Sequence, residues 1–208
     1  MRSPDYQSSL DFFSSTMIKI IGNEVLTMSK KKWDVQSVIF LAIIAIFLGI
    51  IYQVWSYAYY ALAATPLKPY ANDLTLGVWT MAGPLAGTLL RKVGGAFIGE
   101  LLTATVEMFL FSSWGAANLI SGLYQGLGSE LGFALTGYKN FGKLGLSLSV
   151  LTTTVVTFAW SLFQDGYLDY QVGMLVQLFI LRLLSIGLFS GVLVAMIQAA
   201  VKKAGFLR

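Results

Sequence analysis

The chain has 208 residues, 56% hydrophobic and only 12% charged, with a formal net charge of +4; average soluble domains carry about 25% charge. With a mean hydropathy of +0.72 it cannot coat a soluble globule and reads as an all-α, polytopic membrane protein. It holds no Cys and no His, which removes disulfides, thiolate nucleophiles, imidazole bases and nearly every zinc, haem or iron–sulfur site, so no metal or cofactor is expected. No Walker-type glycine–lysine loop occurs either, and any energy must come from a partner or an ion gradient.

Residues 1–29 are polar and serine-rich, with Asp5 and Asp11, and lack a signal-peptide core followed by a small-residue cleavage site. They read as a flexible cytoplasmic extension; alternatively, translation begins at Met28, where "MSKKKWDVQ" looks like a natural basic leader. Residues 30–208 then form a single six-helix membrane domain. Its predicted helices span 34–64, 76–90, 93–111, 116–138, 144–163 and 171–201. The first ends in an aromatic belt of Tyr52, Trp55, Tyr57, Tyr59 and Tyr60. The loop "TPLKPYANDLT" that follows, residues 65–75, is placed to close as a lid.

Charge sets the orientation. With a cytoplasmic N-terminus, the inner ends carry Lys30, Lys31, Lys32, Arg91, Lys92, Lys139, Lys143, Lys202, Lys203 and Arg208, and the outer loops only Lys68 with Asp73, Asp165 and Asp169. That bias follows the positive-inside rule, and an even helix number puts the C-terminus inside as well. The basic pI near 9.2 therefore reflects attraction to anionic lipid, and no nucleic-acid partner is expected.

Small residues recur at four-residue spacing: Ala45 and Gly49, Gly83 and Gly87, Gly95 and Gly99, Gly122 and Gly126, Gly128 and Gly132, Gly187 and Gly191. Such pairs let helix backbones approach closely, and packing within the bundle accounts for most of them. In the first helix, however, Ala42, Ala45 and Gly49 form a stripe that offers a docking face to another protein.

Ionisable residues at bilayer depth are candidate functional groups by default, and Glu100, Glu107, Glu130 and Arg182 qualify. Glu100 and Glu107 are two turns apart on one face of the third helix, about 10 Å along its axis. Arg182, near the middle of the sixth helix, reads as a structural ion-pair partner for one glutamate. One arginine cannot neutralise three carboxylates, so at least one acid is protonated, bonded to neutral donors or free for a ligand. Glu107 is nearest the outer surface, and the following "FSSWGAAN" brings Trp114 and Asn118 into its neighbourhood. Asn118, Gln125 and Ser129 share a face of the fourth helix. A carboxylate, an amide and an aromatic plane suit a flat, nitrogen-rich small molecule, neutral or cationic; Trp114 also fits a plain interfacial anchor.

The segments "GVWTMAGPLAGTLLRKVGGAFIGELLTATVEMFLFSSWG" and "LISGLYQGLGSELGFAL" resemble the YkoE family of membrane S components from energy-coupling factor (ECF) vitamin transporters. The arginine–lysine turn with its following glycine, the glutamate pair and "QGLGSE" carry the resemblance over residues 77–135, and hydropathy and helix number extend it across 33–208. Relatives often have proline where this chain has Val93. The resemblance implies a six-helix subunit, without enzymatic activity, in the bacterial plasma membrane. It would capture thiamine or its hydroxymethylpyrimidine precursor from outside and pair with a transmembrane coupling protein and two ATPase subunits. It also implies that the Ala42, Ala45, Gly49 stripe contacts the coupling protein.

On that reading Glu107 accepts the exocyclic amine of an aminopyrimidine, with Glu100, Glu130, Asn118 and Gln125 as further polar contacts. Trp114, Trp79, Tyr124 and Trp160 are alternatives for stacking on a ring. A rival class is a proton- or cation-coupled carrier using Glu100, Glu107 and Glu130 as a relay. A lipid-modifying enzyme fits poorly, because no acid pair in a soluble loop is placed to hold a metal.

Overall fold

The computed structural model describes residues 33–204; the extension expected over residues 1–29 lies outside them. In chain order the helices are α1 (Val35–Ala63), α2 (Lys68–Trp79), α3 (Ala82–Leu90), α4 (Gly95–Phe109), α5 (Ala117–Ala134), α6 (Lys143–Gln164), α7 (Val172–Ile186) and α8 (Val194–Lys203). A π-helical turn, Gly187–Leu193, joins α7 to α8 as one continuous span, Val172–Lys203. With α2 and α3 as one interrupted rod, the described chain makes six helical rods and no strand. Three spans are long and apolar enough by themselves to cross a bilayer: Val35–Ala63, Lys143–Gln164 and Val172–Lys203.

The second rod departs from the sequence expectation at both its start and its middle. Helix begins at Lys68, not at 76, because Pro69 in the first turn pre-sets the backbone for helix. Most of the expected lid is therefore helix, and Asp73, expected in an outer loop, is fully buried within α2. At Thr80 and Met81 the rod breaks. Backbone groups freed inside a membrane need partners from the protein, and three neighbouring rods supply them. From α1 and α4, Tyr52 Oη accepts the Ala82 N–H at 2.9 Å, Glu100 Oε2 accepts the Gly83 N–H at 2.6 Å, and Tyr52 Oη donates to Glu100 Oε1 at 3.0 Å.

The sixth rod completes the other side of the break. Gly77 N–H donates to Ser185 Oγ at 3.0 Å, Ser185 Oγ donates to the Leu74 carbonyl at 2.8 Å, and Ser190 Oγ donates to the Gly77 carbonyl at 3.0 Å. Thr80 Oγ1 lies 2.8 Å from Ser190 Oγ. These contacts require backbones in near contact: a Cβ on Gly77 would fall 2.2 Å from the Ser185 carbonyl oxygen. Around them Tyr52, Val78, Met81, Leu85, Leu89, Leu146 and Val194 form the apolar core.

Two further expectations are corrected. The fourth predicted helix ends at Ala134 instead of 138, because Gly137 (φ 59°) and Tyr138 (φ 56°) turn left-handed. The α1 stripe faces inward: Ala45 and Gly49 are buried, and a Cβ on Gly49 would lie 2.6 Å from Val106 of α4. These small residues let α1 and α4 close on one another, so only Ala42 of the three is exposed. The outward face of α1 is instead Ile39, Ile43, Ile46, Phe47 and Ile50.

Candidate ligand-binding site

The alternating rods gather Arg91, Lys92, Lys139, Lys143, Lys202 and Lys203 at one end of the bundle, the basic end. The opposite, aromatic end holds Tyr59, Tyr60 and Trp114, whose rings meet at centroid distances of 5.3 Å (Tyr59–Trp114) and 6.2 Å (Tyr60–Trp114).

Two of the three glutamates are engaged by backbone. Glu130 accepts the N–H groups of Gly94, Ala96 and Phe97 at 2.6, 2.9 and 3.0 Å. It thereby caps α4 from a neighbouring helix, where the donors are otherwise orphaned and the helix dipole favours negative charge. Gly94, with φ 79°, supplies the left-handed residue that aims those donors at one carboxylate. Glu100 does the same for α3, with both oxygens occupied by Tyr52 and Gly83. Their spacing in the sequence is thus explained by two helix starts, one after the arginine–lysine turn and one inside the broken rod.

Arg182 is paired, but with Asp73 and not with a glutamate. Its Nε lies 2.6 Å from Asp73 Oδ1, and both side chains are fully buried. Tyr167, in the short 3₁₀ turn Tyr167–Asp169 between α6 and α7, donates to Asp73 Oδ2 at 2.6 Å. Burial, with the adjacent Asp73 carboxylate, pushes the Tyr167 hydroxyl well above its ordinary value, so it remains the donor at neutral pH. Ser161 Oγ accepts from Arg182 Nη2 at 2.9 Å, and the guanidinium lies over Phe158 and Tyr167. Asp73, Phe158, Ser161 and Tyr167 were absent from the sequence-derived site. The proline opening of "KPYANDLTLGVW" was the one available signal that Asp73 lies in a helix.

Glu107 differs from the other two glutamates. It is 5% exposed, in the last turn of α4, and its Oε1 has no hydrogen-bond partner. The side chains of Trp79 and Ser56 lie beside the carboxylate, and Trp79 directs its Nε1 to the Tyr52 carbonyl at 3.3 Å. Trp79 also meets Tyr59 edge-on at 6.0 Å, which joins Glu107 to the aromatic cluster containing Trp114.

Across from α4, Asn118 and Gln125 are buried on α5, and Asn118 Nδ2 is likewise without a partner. Ser129 of α5 meets Thr153 of α6 at 3.1 Å, and Thr157 and Ser161 continue that buried polar line along α6 towards Arg182. Tyr124 and Trp160 stack at 4.9 Å with 17° between their planes. The site residues named from sequence thus divide into two sets. Glu107, Trp79, Trp114, Asn118, Gln125, Tyr124 and Trp160 belong to the aromatic half, whereas Glu130 caps a helix at the basic end and Glu100 braces the broken rod.

The six-rod bundle, with polar side chains buried in its aromatic half, has the fold of a membrane transport subunit of the S-component class, as its likeness to a solved structure shows. The chain matches a solved structure described as the crystal structure of an S-component of an ECF transporter, with a TM-score of 0.78 and 27% identity over 84% of this chain and 88% of that one. It is also 29% identical over 177 residues to a Bacillus subtilis (strain 168) protein carrying the provisional name HMP/thiamine permease protein YkoE, covering 85% of this chain and 88% of that protein. The chain belongs to the family described as the ABC-type cobalt transport system, permease component, whose sequence model matches residues 36–156. It is therefore a multi-pass membrane transport subunit and not an enzyme.

Proposed function

We propose that this protein is the substrate-binding subunit of an ECF-type transporter that captures thiamine or its hydroxymethylpyrimidine precursor. The aromatic end faces outward, as the concentration of basic residues at the opposite end favours, and uptake is driven by a transmembrane coupling protein and two ATPase subunits. The observation that carries this reading is the buried Glu107 carboxylate with one oxygen free, beside Trp79 of the aromatic cluster. A buried acceptor without a donor is rare in a finished structure and calls for an occupant. An aminopyrimidine supplies a flat ring for Trp79 or Trp114, an amine for Glu107 and ring nitrogens for the Asn118 amide.

The family description and the relative's name point to different cargoes, a cobalt ion and HMP or thiamine. Cobalt(II) sites draw on imidazole and thiolate ligands, and this chain has no His and no Cys. Among the described residues, no three Asp or Glu side chains converge as a metal site would require. The residues at the aromatic end fit the organic ligand better.

Titrating the purified protein with hydroxymethylpyrimidine and with thiamine, read by tryptophan fluorescence, tests the reading. Saturable quenching by either compound is the expected result. Glu107→Gln keeps the shape and an acceptor oxygen but loses the charge-assisted bond, worth about 1.5–3 kcal/mol, so binding is expected to weaken about 10- to 100-fold with the fold intact. Unchanged affinity removes Glu107 from the site.

A further inference from the structure

Arg182 has a donor to spare. Nε is held by Asp73, Nη2 by Ser161, and the planar group is covered by the Phe158 and Tyr167 rings at 5.2 and 5.7 Å. Nη1 has no partner, although the residue is completely buried. A guanidinium locked on three sides cannot swing its remaining N–H groups to a distant acceptor, and a buried donor of this kind left unmade is strongly unfavourable.

Arg182 neighbours residues of the candidate site. Ser161, which holds Nη2, follows Trp160, and Trp160 stacks on Tyr124. Tyr124 is within electrostatic reach of Arg182 and within hydrogen-bonding reach of Gln125, on the same α5 face as Asn118. Besides Gln53 Oε1 on α1, the aromatic half of the bundle contains three buried polar atoms without a partner: the acceptor Glu107 Oε1 and the donors Asn118 Nδ2 and Arg182 Nη1. A ligand that satisfies all three has at least one donor and two acceptors.

We infer that Arg182 is a specificity-determining residue whose free Nη1 donates to an uncharged lone-pair acceptor of the ligand, a ring nitrogen of the heteroaromatic base. This rests on the binding role proposed above and goes beyond it by naming the group that reads the ring. The acceptor is uncharged because the Asp73 carboxylate already balances the guanidinium, leaving no net positive charge to reward an anion. Arginine is required because it alone presents Nε, Nη1 and Nη2 in one rigid plane; lysine can keep the ion pair but not the second, fixed direction. Asp73, Ser161 and Tyr167 act on the ligand only through Arg182, as positioning residues.

The test compares hydroxymethylpyrimidine with its two analogues in which one ring nitrogen is replaced by C–H, on the wild-type protein and on Arg182→Lys, by calorimetric titration. The expected result is that one analogue binds wild type at least 10-fold more weakly, and that this loss shrinks to less than 2-fold in Arg182→Lys. An equal loss in both proteins overturns the assignment of Arg182 while leaving the binding role of the protein standing. If hydroxymethylpyrimidine and thiamine both fail to bind wild type, the binding role fails and this inference with it. Should Arg182→Lys not fold, wild type alone still decides: both analogues binding within 2-fold of the parent overturns the inference, and a loss of 10-fold or more for one supports it.

Discussion

Asp73 and Arg182 form a fully buried ion pair that joins α2 to α7. A buried pair is held by its geometry, and removing one member leaves an uncompensated charge, worth about 3–5 kcal/mol of destabilisation. Asp73→Ala is thus expected to lower the melting temperature in detergent sharply. Asp73→Leu combined with Arg182→Met, which removes both charges and keeps the volume, is expected to recover most of that stability; a double variant as unstable as Asp73→Ala would mean that the pair does not act as a unit. The sequence pointed to Arg182 and to its pairing but not to its partner. The reason is physical: Asp73 follows a short loop and precedes the apolar run, so hydropathy assigns it to water, whereas Pro69 starts the helix early enough to carry it inside.

At the scale of elements, the broken second rod and the start of α4 are held by acids from neighbouring helices. Glu130→Ala leaves three N–H groups in the first turn of α4 without their acceptor and is expected to cost about 1–3 kcal/mol; Glu130→Gln, with an oxygen still able to accept, costs less. Ligand affinity in Glu130→Gln is expected to stay within about 2-fold of wild type, checked by the same titration, because the side chain lies at the basic end. Gly77→Ala drives a Cβ into the Ser185 carbonyl and is expected to destabilise by about 1–3 kcal/mol through overpacking, with thermal melting as the readout. The six rods were readable from apolar run length and charge bias. The break at Thr80–Met81 was not, because the residues that satisfy it, Tyr52, Glu100, Ser185 and Ser190, come from three other helices. A pair of glutamates at helical spacing looks the same in sequence whether it binds a ligand or caps a helix; only the third dimension separates Glu107 from Glu100.

Among the described residues, the bundle is divided along its length: the lysines and the Glu130-capped start of α4 lie at one end, and the aromatic rings with Glu107 Oε1 and Asn118 Nδ2 at the other. Counting along the helices put Glu107, Trp114 and Asn118 in one neighbourhood, but sequence did not reveal the inward turn of the Ala45 and Gly49 stripe, which packs on Val106. Replacing Gly49 by Leu is therefore expected to unsettle the isolated protein, with a fall in its own melting temperature, and not merely to weaken association with a partner. The central claim is that a pyrimidine compound binds this chain alone. Calorimetric titration of the purified protein with hydroxymethylpyrimidine, thiamine and cobalt(II), each separately and without ATP, tests it most directly. Saturable one-to-one binding of a pyrimidine compound and none of cobalt(II) is the predicted result; binding of cobalt(II) with no response to either pyrimidine would contradict it.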